Sequence, residues 1–286
     1  MKVLYQGRHI FEQLRTELRQ LYDTEEAEAI ARWLMEDFFG LKPIDFITGK
    51  PPDLQGWSKW QAALPLLSRH VPVQYVLGYT WFAGHRFAVG EGVFIPRPET
   101  EELLALANNF LQQNAHQAPV IADLCTGTGC IAHVLALTHP QAKVYAFDKS
   151  PQALFYARLN AEQLKASTIV QQADVLANEF ELPLCDLIIS NPPYVKESER
   201  AQIHPRVKDF EPVQAIFVPD DNPLLFYHAI AKLSTAFLKK NGWIGVEINP
   251  TMAEAVAEIF SKAGLAQVAI HRDFRNNNRF VTALRT

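Results

Sequence analysis

The first 72 residues carry apolar side chains every three or four positions, which is the spacing of amphipathic helices. Three such series are separated by prolines at position 43 and at positions 51 and 52, where helices are interrupted. Their apolar members are Phe11, Leu14, Leu18 and Leu21; Ala27, Ile30, Ala31, Leu34, Met35 and Phe38; and Trp57, Trp60, Leu64 and Leu67. Asp23-x-x-Glu26 precedes the second series with the spacing of a capping box. The pattern predicts a small helical domain over residues 1–72, with its aromatic side chains in the core.

The pattern changes between residues 73 and 96 to short aromatic and β-branched runs interrupted by glycines. The glycines are Gly78, Gly84, Gly90 and Gly92. Short runs of this composition with glycine turns between them are typical of β-hairpins. We therefore predict that residues 73–96 form a β-hairpin that links the helical domain to the rest of the chain.

From Pro119 onward, short apolar runs typical of buried strands alternate with helical patterns. Strands are predicted over residues 120–124, 144–147, 169–172, 187–189, 244–248, 268–271 and 280–284. Helices are predicted from Gly129, over residues 253–260, and after Ser150-Pro151, where serine suits the N-cap and proline the first turn. This alternation predicts an α/β domain over residues 97–286, with a doubly wound, mostly parallel seven-stranded sheet of Rossmann-like type.

Composition narrows the class of protein further. The 286 residues have a formal net charge of −4, which is unlike a protein that coats nucleic acid or an anionic membrane. No apolar run approaches the ~18 residues of a transmembrane helix, and the N-terminus lacks the apolar core of a signal peptide. Cys125, Cys130 and Cys185 form no Cys-x-x-Cys pair, so they predict neither a disulfide framework nor a zinc site. We expect a cytoplasmic protein without a bound metal.

A glycine-rich segment, Asp123-Leu124-Cys125-Thr126-Gly127-Thr128-Gly129, follows the first strand predicted for the α/β domain. Glycines at this position let the backbone approach a ligand and direct helix N-terminal N–H groups toward it. Asp148, at the end of the next strand, has the spacing of an acid that binds a ribose hydroxyl pair. The third glycine of the dinucleotide fingerprint is missing, which makes a nicotinamide-dependent dehydrogenase the weaker alternative. The segment instead resembles motif I of the class I methyltransferases, which bind S-adenosylmethionine.

Asn191-Pro192-Pro193-Tyr194 follows the fourth of these strands, so it is expected at the same edge of the sheet as the glycine-rich segment. Two adjacent prolines, which lack N–H groups, can form either a stiff turn or a rigid socket. A socket suits an amide or aromatic amine nitrogen, which is a poor nucleophile because its lone pair is delocalised. The carbonyl oxygens of the Asn191 side chain and the Pro192 backbone can accept both N–H groups, and Tyr194 can stack on the planar group. Such a socket would orient the nitrogen for methyl transfer and stabilise the developing positive charge.

A third segment, Phe94-Ile95-Pro96-Arg97-Pro98-Glu99-Thr100-Glu101, stands where the α/β domain begins. A helix start explains its second half, because proline and acidic residues suit a first turn, but it does not explain Phe94 to Arg97. Together with the two segments above and with Phe210-Glu211-Pro212-x-x-Ala215, it closely resembles the HemK/PrmC family over essentially the full length. Enzymes of this family methylate the side-chain amide nitrogen (N5) of the glutamine in the Gly-Gly-Gln motif of class I peptide chain release factors.

The resemblance implies S-adenosylmethionine as methyl donor, S-adenosylhomocysteine as product and a class I release factor as protein partner, docked by the helical domain. It implies cofactor contacts from residues on the loops at the sheet edge: Phe94, Pro96, Arg97, Asp123, Cys125, Thr126, Gly127, Thr128, Gly129, Asp148, Asp174, Val175 and Asn191. It assigns the substrate socket to Asn191, Pro192, Pro193 and Tyr194, with Asn191, Pro192 and Tyr194 as the catalytic residues. Asp148 would hold the ribose, and Asp174 and Val175 would lie beside the adenine. We expect the enzyme to be a monomer.

Three positions depart from the family pattern. Cys125 stands where glycine is commoner, which narrows the loop but keeps its backbone donors, and Val175 stands where some members have an aromatic residue. Glu247-Ile248-Asn249 lacks the usual glycine two positions after the acid, so we assign no role to Glu247. The long polar segment 195–221 is interpreted either as a surface loop or as a lid that grips the substrate.

Several alternatives stay open at this point. A DNA or RNA amino-methyltransferase can use the same Asn-Pro-Pro-Tyr socket, but a duplex reader needs a basic recognition surface and must extrude its base. The helical domain shows no basic cluster, and the chain is net acidic, so no direct nucleic-acid partner is expected. A ribosomal-protein glutamine methyltransferase would share the chemistry and differ in its N-terminal half. A non-catalytic binding module that kept the fold is the remaining alternative.

Overall fold

The computed structural model describes residues 2–114, 118–177 and 181–286, with side chains from residue 7 onward. The chain divides into two units, Met1–Gly78 and Tyr79–Thr286, and each has its own hydrophobic core. The first unit ends at Gly78, six residues beyond the end predicted for the helical domain at residue 72. The physical reason is that residues 73–77 are helical and contribute Val73, Val76 and Leu77 to the first core.

The first unit is built from helices in its described part. They are α1 (Lys2–Leu18), α2 (Thr24–Phe39), α3 (Asp45–Thr48), α4 (Gly56–Ser68) and α5 (Val73–Leu77). The apolar series of the sequence supply the core, in which Leu14, Leu34 and Leu67 have no exposed surface. The Asp23 side chain caps α2 by accepting a hydrogen bond from the Glu26 N–H at 2.9 Å. The 3.6-residue periodicity therefore identified α1, α2 and α4 and the faces that they bury, whereas the short helices α3 and α5 were not predicted.

The second unit begins with a β-hairpin, β1 (Tyr79–Phe82) and β2 (His85–Ala88), paired antiparallel. It is shorter than the connector predicted over residues 73–96. Gly78 ends α5 in the left-handed conformation, with φ at 78°, and strand pairing starts only after it. Phe82 and Phe87 are fully buried and belong to the same core cluster as residues of the neighbouring helices and sheet.

The remaining elements of the second unit alternate strands and helices. They are α6 (Thr100–Gln113), β3 (Val120–Leu124), α7 (Cys130–Thr138), β4 (Lys143–Asp148), α8 (Pro151–Leu164), β5 (Thr168–Gln172), β6 (Cys185–Ser190), β7 (Val195–Lys196), α9 (Pro205–Phe210), β8 (Phe217–Val218), α10 (Leu225–Phe237), β9 (Leu238–Glu247), α11 (Ala253–Lys262), β10 (Leu265–Arg272) and β11 (Asn278–Arg285). Ser150 caps α8 through its hydroxyl oxygen, and Pro151 occupies the first turn, as predicted.

Seven strands form one sheet in the order β10-β11-β9-β6-β3-β4-β5. The pairs from β9 to β5 are parallel, whereas β11 runs antiparallel to both of its neighbours. Alternate residues of β3 belong to two hydrophobic clusters. Ile121 packs with residues of α6 and α7, and Ala122 packs with residues of α10 and α11. The doubly wound, mostly parallel sheet is therefore confirmed.

The topology explains where a ligand can bind. The chain proceeds from β3 to β4 and β5 on one side, and then crosses to β6 and β9 on the other side. Open α/β sheets bind ligands outside the carboxyl ends of their strands at such a reversal. The glycine-rich segment follows β3 and Asn191 follows β6, so the two segments flank the reversal.

Three further observations concern predictions made from composition. Within the described residues, the helices are all too short or too polar to cross a bilayer. The same part of the chain holds no group of three or more histidine, cysteine or acidic side chains placed for a metal ion. Cys125, Cys130 and Cys185 are free thiols. Burial raises the thiol pKa of all three, that of Cys185 to about 12, so they are poor nucleophiles at neutral pH.

Candidate active site

A cavity of about 340 Å³ lies at the carboxyl edge of the sheet. Its volume is within the range of small-molecule sites. The predicted site residues that line it are Phe94, Pro96, Arg97, Cys125, Thr126, Gly127, Thr128, Asp148, Asp174, Val175, Asn191, Pro192, Pro193 and Tyr194. Asp123 and Gly129 are absent from its lining. The structure therefore brings the predicted cofactor and acceptor segments to one cavity.

Asp123 stabilises the glycine-rich loop through hydrogen bonds in the protein interior. It is completely buried, and its Oδ2 accepts the Thr126 hydroxyl at 2.5 Å and the Ala132 N–H at 3.2 Å. Burial raises the pKa of Asp123 to about 7, whereas the hydrogen bonds from Thr126 and Ala132 act to lower it. The sequence predicted that Asp123 contacts the cofactor; in the structure Asp123 lies outside the cavity lining, and its hydrogen bonds hold the loop.

The loop itself has a backbone that few side chains tolerate. Cys125, Gly127 and Gly129 have φ angles of 58°, 56° and 79°, in the left-handed region. A left-handed conformation costs a non-glycine residue about 1–2 kcal/mol, so Cys125 is strained where glycine would not be. A Cβ added at Gly127 would meet no atom within 4 Å, so this part of the loop faces open space. Strained residues of this kind cluster at functional sites.

Asp148 ties the loop to the end of β4. Its Oδ2 accepts the Gly127 N–H at 2.9 Å and its Oδ1 accepts the Ser150 N–H at 2.9 Å. Burial raises the pKa of Asp148, while these backbone N–H groups act in the opposite direction. Each carboxylate oxygen can accept about two hydrogen bonds, and a backbone N–H group uses one of them. Both oxygens can therefore still accept a hydrogen bond from a ligand hydroxyl group. Asp174, in the loop after β5, lines the same cavity.

The Asn-Pro-Pro-Tyr segment starts directly at the end of β6. The Ser190 hydroxyl donates to the Leu124 carbonyl at 2.6 Å, which joins the end of β6 to the end of β3. Pro192 and Pro193 are buried. The Asn191 side chain donates through Nδ2 to the Thr100 hydroxyl oxygen at 3.2 Å. Because the amide group is planar, this bond turns Oδ1 away from Thr100.

Glu247 lies behind this segment, and no role was assigned to it from the sequence. It is 2 % exposed, and its Oε2 accepts the Thr100 hydroxyl at 2.7 Å while its Oε1 accepts the Tyr194 hydroxyl at 3.1 Å. Its backbone carbonyl accepts the Tyr227 hydroxyl at 3.2 Å. Burial raises the pKa of Glu247, and the hydrogen bonds from Thr100 and Tyr194 act to lower it. An acid at the carboxyl end of the strand next to β6 was the signal that could have identified it.

The segment from Phe94 to Arg97 is anchored by a second buried acid. The Glu211 carboxylate accepts hydrogen bonds from the Arg97 guanidinium and, at 3.0 Å, from the Ile95 N–H. The Arg97 guanidinium carbon also lies 4.6 Å from the Phe94 ring centroid. Burial raises the pKa of Glu211, and the Arg97 charge acts to lower it. The resemblance had included Glu211 in a motif without assigning it a contact.

The long segment 195–221 contributes to the cavity wall. It contains the short parallel pair β7–β8 and the helix α9, and its residues Gln202, Ile203, His204 and Val207 line the cavity. The salt bridge between Glu211 and Arg97 connects it to the segment before α6. Of the two interpretations of this segment, the placement over the cavity favours the lid.

The strand order and the three segments around one cavity define a class I methyltransferase. The methyltransferase small domain family matches residues 100–207. Among solved structures, the hMettl16 catalytic domain aligns with a TM-score of 0.53 at 16% identity, over 70% of this chain and 75% of that chain, which shows a shared fold.

Relatives along most of the chain define the family. The PrmC N-terminal domain matches residues 9–78. Proteins named release factor glutamine methyltransferase are 36% identical in Bacteroides thetaiotaomicron, over 95% of this chain and 98% of the relative, and 35% identical in Flavobacterium psychrophilum, over 92% and 94%. The corresponding protein of Mycolicibacterium smegmatis is 37% identical over 82% of each chain. The chain belongs to the release factor glutamine methyltransferase family, which confirms the resemblance seen in its motifs.

Proposed function

We propose that this enzyme transfers a methyl group from S-adenosylmethionine to the side-chain amide nitrogen of the Gly-Gly-Gln glutamine in a class I peptide chain release factor. The observation that carries the proposal is the Asn-Pro-Pro-Tyr segment on the same cavity as the glycine-rich loop. The names of the relatives support the choice of a release factor as substrate. Since release factors act in translation, we place the reaction in the cytoplasm.

The residues around the cavity suit S-adenosylmethionine. When bound, this cofactor supplies an electrophilic methyl group on a sulfonium sulfur. Asp148 would hold the ribose hydroxyls, because its carboxylate lies on the cavity at the end of β4. The loop from Cys125 to Gly129 would hold the methionine part, and its backbone opens to free space at Gly127. Asp174 and Val175 would lie beside the adenine, and Phe94, Pro96 and Arg97 would cover the cofactor.

The acceptor side of the cavity would position the glutamine amide. Its nitrogen is weakly nucleophilic, so orientation toward the methyl donor contributes much of the rate. Asn191 Oδ1 and the Pro192 carbonyl oxygen would accept the two N–H groups, and both oxygens stabilise the positive charge that develops on nitrogen. One amide proton leaves to water as the N–C bond forms. Burial and the Glu247 charge raise the pKa of the Tyr194 hydroxyl, so this side chain acts as a neutral, planar wall of the socket.

The first unit would dock the protein substrate. The proposal is motivated by its separate core and by its match to the PrmC N-terminal domain over residues 9–78. A shortened chain that begins at Tyr79 should bind S-adenosylmethionine normally but show a raised KM for intact release factor. Circular dichroism would verify that this chain folds. Full activity of the shortened chain at low release factor concentration would exclude the docking role.

One labelling experiment tests the proposed reaction. The enzyme is incubated with methyl-labelled S-adenosylmethionine and, in parallel, with intact release factor, with the same factor carrying alanine in place of the Gly-Gly-Gln glutamine, with a ribosomal-protein mixture, and with DNA or RNA. Label on the intact factor alone is the expected result. Label on nucleic acid or ribosomal protein would retain the socket chemistry and overturn the substrate assignment.

A further inference from the structure

Four side chains behind the acceptor socket are linked by hydrogen bonds into one network. Asn191 Nδ2 donates to Thr100 Oγ1 at 3.2 Å, and Thr100 in turn donates to Glu247 Oε2 at 2.7 Å. Tyr194 donates to the other carboxylate oxygen at 3.1 Å. Thr100 and Glu247 are each 2 % exposed, so water does not compete for these bonds. This hydrogen-bond network connects the first residue of α6, the loop after β6 and the last residue of β9.

The donors and acceptors of this hydrogen-bond network can be arranged in only one way while Glu247 is ionised. A carboxylate accepts hydrogen bonds and donates none, and a hydroxyl group has one proton to donate. Thr100 gives that proton to Glu247, and therefore offers only lone pairs to Asn191. Asn191 must then present its NH₂ group to Thr100, since its carbonyl oxygen has no proton to share.

The orientation of Asn191 decides which end of its amide faces the acceptor. The two ends have nearly the same shape, so packing alone distinguishes them poorly. Rotation of the amide by half a turn would direct an NH₂ group at the N–H groups of the incoming substrate. Two donors would then oppose each other, and the substrate nitrogen would lose an acceptor. An external group must therefore select the productive orientation.

We infer that Thr100 and Glu247 are positioning residues that orient the Asn191 amide so that Oδ1, and not Nδ2, faces the methyl-accepting nitrogen. The inference rests on the proposed function, because it assigns Asn191 Oδ1 to the substrate amide. Thr100 acts through Asn191, and Glu247 acts through Thr100. Tyr194 donates to Oε1 of Glu247, so Oε2 remains available to accept the hydrogen bond from Thr100.

The first test removes the hydroxyl group of Thr100. Thr100→Val keeps the shape of the side chain, and we expect kcat to fall at least about tenfold, since misoriented groups cost this much or more. The affinity for S-adenosylmethionine, measured by calorimetry, should change less than about twofold, because the glycine-rich loop and Asp148 are untouched. Thr100→Ser restores the hydroxyl group and should restore kcat. Thr282→Val is the matched control, since Thr282 is 6 % exposed and hydrogen-bonded to His271 on β10.

The second test changes the direction of the hydrogen bonds without changing the shape of the acid. Glu247→Gln replaces one acceptor oxygen by an NH₂ donor, so one of the two hydroxyl groups must reverse its role. The new NH₂ group can face Tyr194 and leave the oxygen for Thr100, so the positioning role predicts a smaller fall in kcat than in Thr100→Val, with a stable fold and normal cofactor binding. Unchanged kcat in Thr100→Val would overturn the inference. A larger fall in Glu247→Gln than in Thr100→Val would also overturn it, because Glu247 is inferred to act only through Thr100.

A readout independent of catalysis separates this inference from the proposed function. In ¹⁵N-labelled enzyme, the side-chain NH₂ signals of Asn191 can be identified by their loss in Asn191→Asp. They should be shifted and slow to exchange in the wild type, and should move toward free-amide values in Thr100→Val, but not in Thr282→Val. Signals that stay in place in Thr100→Val would overturn the inference. If the wild type fails to label release factor, the proposed function fails, and these signals still decide the orientation of Asn191.

Discussion

The two sides of the cavity are held in place by different kinds of contact. The glycine-rich loop is held by partners near it in sequence: Thr126 and Ala132 bond to Asp123 three and nine residues away, and Gly127 bonds to Asp148 21 residues away. The acceptor socket is held by distant partners. Asn191 and Thr100 are 91 residues apart, and Thr100 and Glu247 are 147 residues apart. The loop is therefore a local structure, whereas the socket depends on the assembled fold.

The difference predicts different consequences of mutation on the two sides. Changes in the loop and its acids should alter cofactor affinity, because these groups surround the proposed cofactor position. Changes in the socket should alter turnover with little effect on cofactor affinity, because they disturb orientation of the acceptor. The separation is testable, since calorimetry reports cofactor binding and single-turnover kinetics report the methyl transfer.

The largest effect is expected for Asn191→Ala in the socket. The variant loses the side-chain acceptor for the substrate amide, and removal of one such preorganised group costs about 10²–10³-fold in kcat. Methyl transfer to release factor would be measured in single turnover, and unfolding by urea would verify that the fold persists. Asn108→Ala is the control, because Asn108 bonds to His139 outside the cavity. Near-normal turnover in Asn191→Ala would eliminate the socket mechanism.

The same difference explains what could be predicted from the sequence. The seven strands and the glycine-rich loop were predicted, because helices, strands and local turns depend on neighbouring residues. Cys125 was expected to narrow the loop, and the structure adds that its φ of 58° is left-handed. The contacts of Glu247 and Glu211 were not predicted, since their partners Thr100 and Arg97 lie 147 and 114 residues away. A single sequence can place Glu247 at the end of a strand, but it does not show which distant side chain this acid contacts. The motif position of Asp123 likewise did not reveal that this acid lies outside the cavity lining and bonds to Thr126 and Ala132.

The next largest effect concerns the stability of the loop side as a function of pH. His133 is completely buried, with Nε2 2.8 Å from the Ala157 carbonyl oxygen and Nδ1 2.9 Å from the Thr168 hydroxyl oxygen. Burial lowers the pKa of His133 from 6.5 to about 4. The unfolded chain therefore takes up a proton below pH 6.5 that the folded protein does not. The contribution to stability is complete above pH 6.5 and is lost as the pH falls toward 4, by on the order of 3 kcal/mol.

Urea unfolding at pH 7.5 and pH 5 measures this contribution. His133→Gln keeps a hydrogen-bonding side chain without a titrating group, so its stability should fall less than that of the wild type between the two pH values. Asp123 has the opposite dependence, because its raised pKa favours proton uptake in the folded state and its contribution is lost as pH rises from 3.8 to about 7. Asp123 is present in both proteins, so the difference between them isolates His133. Parallel pH profiles would contradict the prediction.

A smaller effect is expected for Asp148→Ala. The variant loses the acid that would hold the ribose and also frees the Gly127 N–H. A hydrogen bond to a charged group contributes about 1.5–3 kcal/mol, so the Kd for S-adenosylmethionine should rise about 10- to 100-fold. Asp209→Ala removes the same charge from an exposed position of α9 and serves as the control. Unchanged affinity in Asp148→Ala would move the ribose contact to another residue.

The smallest effect is expected for Tyr194→Phe, which keeps the aromatic wall of the socket and removes only the hydroxyl bond to Glu247. Glu247 would keep its bond from Thr100, so the orientation of Asn191 should persist. We expect turnover to fall less than about tenfold, in line with the loss of one hydrogen bond worth about 1 kcal/mol. Burial raises the pKa of the Tyr194 hydroxyl, so the pH profiles of kcat for the variant and the wild type should be parallel between pH 6 and 9. A loss of turnover as large as that of Asn191→Ala would mean that the phenol takes part in the chemistry, and the wall of the socket would then be as essential as its acceptor.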